Sequence, residues 1–144
     1  MSLRAKLAIF AVTSIVLVGC AAGGSADEAP LVQGRGIYGN SCSVCHGNAG
    51  QGGVGPALAE VIATFPSCAE HVEWVTLGSK TWAERYGPTY GATSKPIESV
   101  MPAHQGILSE EQIRLVVAFE RVTYGNADEA LTLSQCDITV NGSP

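Results

Sequence analysis

Cys42-Ser43-Val44-Cys45-His46 constrains the fold more than any other stretch of this chain. Two cysteines three apart, with a histidine directly after the second, form the attachment signature of c-type haem. Each thiol adds across a porphyrin vinyl group to make a thioether, and the adjacent imidazole becomes the proximal ligand of iron. Such a chain must wrap a flat apolar macrocycle. Two other uses of the motif stay open on the residues alone. A thiol redox pair would sit beside a strand-helix-strand pattern, which is missing here. A zinc half-site would need a second ligand pair, whereas Cys68 and Cys136 stand singly. The histidine after Cys45 is what favours haem.

Haem attachment of this kind implies export, and the N-terminus has the form of an export signal. Arg4 and Lys6 precede an apolar run of twelve residues, Leu7 to Val18. As a helix that run is roughly 18 Å long, short of the ~30 Å hydrocarbon core a spanning helix must cross. Leu17-Val18-Gly19-Cys20 resembles the lipobox of bacterial lipoproteins, which implies cleavage before Cys20 and acylation of that residue. An ordinary secretory signal cut near Ala21-Ala22-Gly23 is the alternative. Of the five cysteines, Cys68 and Cys136 then remain, and in an oxidising compartment a leftover pair is expected as a disulfide rather than as two buried thiols. Residues 1–19 thus read as a signal peptide and 20–30 as a lipidated cysteine with a flexible tether. The chain so processed carries six basic residues against thirteen acidic ones. That balance speaks against nucleic acid and favours a protein partner with a basic docking patch.

Helix signals dominate the rest. Ser109-Glu110-Glu111-Gln112 has the form of a capping box, flanked by Leu108 and Ile113 at staple positions, and it predicts a helix from about Glu110 to Tyr124 before Gly125. Ser67-Cys68-Ala69-Glu70 opens a shorter helix expected to stop near Leu77, before Gly78. A third helix is expected between Leu31 and Ser41, where Gly34, Gly36 and Gly39 call for close packing. No alternating strand pattern appears, so the chain reads as all-α with long loops around the haem.

Apart from Met1, the chain has a single methionine, in Met101-Pro102-Ala103-His104. Proline holds this segment extended, and a thioether in such a loop could reach the haem face opposite His46. With these residues the chain resembles the class I monohaem c-type cytochromes, small bacterial electron carriers with a cytochrome c-like fold. Gly34 and Tyr38 match the family's glycine and aromatic eight and four residues before the first haem cysteine. Val116 and Phe119 match the aliphatic and aromatic of its terminal helix. Gly55-Pro56-Ala57-Leu58 matches the end of its glycine-rich loop, and Met101, Pro102 and Leu108-Ser109 match the approach to its last helix.

The resemblance implies one covalent haem c with His46 and Met101 as axial iron ligands, and a Pro56 carbonyl accepting the His46 N–H. It implies electron transfer rather than enzymatic turnover. It spans about residues 31–125, leaving 126–144 as a tail tied back through Cys68 and Cys136. The segment from Cys68 to about Val100, with Trp74, Trp82, Tyr86 and Tyr90, departs from the pattern, and its aromatics are expected in the haem pocket or core. His71 and His104 compete with Met101 for iron. Rival readings are a haem subunit of a dehydrogenase or oxidase complex, and a haem sensor or peroxidase with an open distal site.

Overall fold

A computed structural model describes residues 29–139. The predicted signal peptide, Cys20 and most of the tether lie outside the described residues, as do residues 140–144. Pro30 opens α1 (Pro30–Ser41) at a helix start, where its missing N–H leaves no bond unmade. Helix α5 (Glu110–Thr123) begins with the full capping box: Gln112 N–H donates to Ser109 Oγ at 3.1 Å, and Ser109 N–H to Gln112 Oε1 at 2.9 Å. The two helices cross at Gly34, where a Cβ would run into the Leu115 carbonyl and lie 2.8 Å from Phe119 Cβ. Gly34 is therefore the glycine that serves close packing. Gly36 and Gly39 face open space, contrary to the expectation for all three. Around the crossing Tyr38, Cys42, Leu58, Val116 and Phe119 form one buried cluster. Complete burial of Val116 alone contributes about 2 kcal/mol.

A second cluster, centred on Val61, Phe65, Trp74, Val75, Leu77 and Val117, joins the short α3 (Val61–Thr64) and α4 (Cys68–Tyr86) to α5. Ser67 caps α4 by accepting from Glu70 N–H at 3.2 Å, while its own hydroxyl donates to the Glu70 carboxylate at 3.1 Å. The helix opened by Ser67 stops at Leu77 as expected, but α4 as a whole does not end there. It breaks at Gly78 (φ 64°, ψ 173°) and resumes to Tyr86, one turn after another in a new direction.

Beyond it, β1 (Thr89–Tyr90) and β2 (Lys95–Pro96) pair antiparallel, Thr89 opposite Pro96, in a two-residue ladder. The ladder leaves an otherwise helical fold. The aromatics of this segment explain its departure from the expected pattern: Trp74 stacks on Tyr90 at 4.3 Å and meets Trp82 edge-on at 5.4 Å. Trp82 Nε1–H donates to the Thr89 carbonyl at 3.0 Å. Tyr86, expected inside, is 54% exposed, and its hydroxyl donates to Glu73.

The tail carries a helix the sequence did not announce, α6 (Glu129–Gln135), capped by Asp128 accepting from Leu131 N–H at 2.8 Å. Cys136 at its end is joined by a disulfide to Cys68 at the start of α4, with Cα atoms 5.4 Å apart. No helix among the described residues is long and apolar enough to cross a membrane.

Candidate functional site

The C-terminal end of α1 delivers the first thiol. Cys42 N–H still bonds to Tyr38 O at 2.9 Å, and one further turn, α2 (Ser43–His46), carries the chain through Cys45 to His46. The glycine-rich segment after it folds back over the turn: Gly52 N–H reaches His46 O at 2.8 Å and Gly55 N–H reaches Cys45 O at 2.9 Å. Gly55 lies against the imidazole so closely that a Cβ would stand 2.9 Å from His46 Cε1. His46 Nδ1 is 2.8 Å from the Pro56 carbonyl oxygen. A carbonyl only accepts, so Nδ1 carries the proton and Nε2 keeps the lone pair a metal needs.

Met101 reaches the same space from the other side of the chain. Its loop lies along the broken part of α4. Ser79 N–H donates to Met101 O at 2.9 Å, Met101 N–H donates to Ser79 Oγ at 3.0 Å, and His104 and Gln105 N–H donate to the Val75 and Thr76 carbonyls, both at 3.2 Å. In an unbroken helix those two carbonyls would accept from Ser79 and Lys80. The positive φ of Gly78 is what releases them, and a Cβ there would collide with the backbone of Met101 to Ala103.

Cys42, Cys45, His46, Pro56 and Met101 all line one cavity of about 520 Å³. Cys42 and Cys45 are free thiols. Burial, followed by the neighbouring Glu120 carboxylate, pushes the Cys42 thiol up to about 12, so it stays protonated at neutral pH. At the mouth Val44, Val54 and Val100 are 83%, 74% and 81% exposed.

Inside the cavity wall stands a pair absent from the expected site. His71 Nε2 is 3.2 Å from Glu120 Oε2, both side chains are buried, and the His71 ring stacks on Phe65 at 4.9 Å. His71 Nδ1 and His104 Nδ1 are buried without a hydrogen-bond partner, and both residues line the cavity. Behind them Arg121 donates to the carbonyls of Phe65, Pro66 and Ser67 at 2.7, 3.0 and 3.3 Å, which fixes the corner between α3 and α4. Burial lowers the pKa of that guanidinium, and the three carbonyls offset part of the cost. Glu120 could have been suspected from sequence, because it follows Ile113 by seven and Val116 by four on an apolar face. Ser79 had no such signal.

The donor set fits the haem expected from the motif: two free thiols, an imidazole with its outer nitrogen engaged, and a thioether converge on one largely apolar space, and two buried imidazole nitrogens there lack partners. Cys68 and Cys136 lie away from the cavity and are bonded to each other, so they supply no second ligand pair for zinc. Cys20 lies outside the described residues.

No curated relative matches the chain. Among solved structures it is similar to cytochrome cL from the marine methylotrophic bacterium Methylophaga aminisulfidivorans, at 18% identity and a TM-score of 0.39, covering 80% of this chain and 72% of that one. A family model for cytochrome c matches residues 31–120, a span that holds every cavity residue named above. That span exceeds half of the chain, and with it the chain is shown to belong to the cytochrome c family, as a c-type haem electron-transfer protein.

Proposed function

We propose that this protein is a membrane-tethered carrier of single electrons, with one haem c joined to Cys42 and Cys45 and its iron held axially by His46 and Met101. The observation that supports it most is the convergence of those four side chains on one cavity, with His46 Nδ1 already engaged by Pro56. When bound, haem supplies a one-electron ferric–ferrous couple. The residues of this chain tune that couple. His46 is held in one tautomer and one orientation by Pro56. The Met101 sulfur is a soft donor that favours the ferrous state, and the apolar wall disfavours the extra charge of the ferric state, so both raise the potential.

Electrons cross at the rim formed by Val44, Val54 and Val100, where the apolar surface gives a partner protein close contact. The excess of acidic residues steers towards a partner with a basic docking patch. Acyl chains on Cys20 hold the exported domain at the outer face of a bacterial membrane, and the mass of the mature N-terminus checks this: an unmodified Ala or Gly terminus refutes the tether.

The axial assignment is tested by Met101→Ala. The variant is expected to have a lower reduction potential and to bind carbon monoxide in the ferrous state, where the wild type does not. An unchanged potential without a carbon monoxide adduct would falsify the assignment and turn attention to His104 or His71. A high-spin resting spectrum of the wild type would favour the open-site sensor or peroxidase. Stable co-purification with a dehydrogenase or oxidase would favour the subunit reading.

A further inference from the structure

We propose that Ser79 is a positioning residue for Met101, a latch on the peptide units either side of its Cα that slows departure of the thioether from iron. The inference rests on the reading of Met101 as the axial ligand. Met101 uses both its backbone groups on this one residue: its carbonyl accepts from Ser79 N–H at 2.9 Å, and its N–H donates to Ser79 Oγ at 3.0 Å. Ser79 is 3% exposed, so neither bond competes readily with water.

The arrangement exists only because α4 breaks. Gly78 turns Ser79 N–H away from Val75 O and aims it at the methionine loop, and Val75 O takes His104 N–H in exchange. Pro102 contributes no N–H and holds Met101 extended, which leaves the Met101 amide as the donor nearest the sulfur. Swinging the thioether out of the cavity therefore requires the Met101 amide to leave a buried hydroxyl. Without that hydroxyl the amide has no partner in place and less to lose by moving.

The test is the rate at which imidazole displaces methionine in the haem-loaded ferric protein. Ser79→Ala is expected to displace about tenfold faster than wild type. Thr76→Ala removes a hydroxyl from the same helix that donates to Val72 O within α4, and it is expected to displace at the wild-type rate. In the wild type itself, hydrogen exchange of the Met101 amide is expected to be slow and to accelerate once imidazole occupies the iron, a readout that stands even if Ser79→Ala fails to fold. Equal displacement rates in wild type and Ser79→Ala, or amide protection indifferent to imidazole, overturn the latch alone. If the methionine-to-iron charge-transfer band is absent from the ferric wild type, the ligand reading fails and the latch falls with it.

Discussion

Tyr38 shows how much a single side chain does at the edge of the site. Its ring packs at 5.6 Å from Phe119 and 5.1 Å from Tyr124, and its hydroxyl donates to Gly47 O at 2.6 Å, tying α1 to the residue after His46. Burial, then the neighbouring Tyr124 and Glu120, raise its pKa above the usual tyrosine range. The folded protein thus keeps the phenolic proton where the unfolded chain releases it. Stability from this group is complete below about pH 10 and is lost as pH rises beyond. Tyr38→Phe is expected to cost about 1 kcal/mol at pH 7, from the lost hydrogen bond. Its stability should also fall less steeply than that of wild type between pH 9 and 11. Denaturant titrations across that range check both, and parallel curves would show that Tyr38 does not titrate with unfolding.

At the scale of elements, the family resemblance marked the residues where α1 and α5 cross and the stop before Gly78 was legible locally, but the second stretch of α4 was not. Gly34, Tyr38, Val116 and Phe119 were marked by their match to the class I cytochrome pattern, whereas the Ser109 box carries its helix start within four residues. Gly78 reads locally as a stop. It does end the first helical stretch, and the carbonyls it frees find donors in His104 and Gln105, about thirty residues later; no local pattern encodes that exchange or the second stretch to Tyr86. The pairing of Glu120 with His71 was hidden for a similar reason: Glu120 stands on an apolar helical face, but the partner that makes its burial tolerable lies on another element. Helix α6 was too short to stand out, and it depends on its disulfide and its packing on α5. The crossing itself can be tested: Gly34→Ala forces the Leu115 carbonyl and Phe119 apart, and a loss of about 2 kcal/mol is expected in urea denaturation of the haem-loaded protein. Gly36→Ala, which faces open space, is expected to be neutral or stabilising.

The whole molecule divides into a haem-holding part and a brace. Among the described residues none after Glu120 lines the cavity, whereas the disulfide ties the tail to the start of α4. Reducing that disulfide is expected to cost about 3 kcal/mol and to expose the amides of α6 to exchange. The optical spectrum and potential of the haem should stay as they were. A shifted potential would show that the brace reaches the site. The crossing of α1 and α5 bears also on the order of events in the life of the chain. Cys42 to His46 follow directly on the first helix of the domain, while the helix that seals them in begins at Glu110. A chain emerging from its N-terminus offers both thiols and the imidazole while the sealing wall is still unmade. That order predicts that haem joins the unfolded chain faster than the folded apo-protein, in which α5 is already docked, and attachment rates measured on the two forms check it.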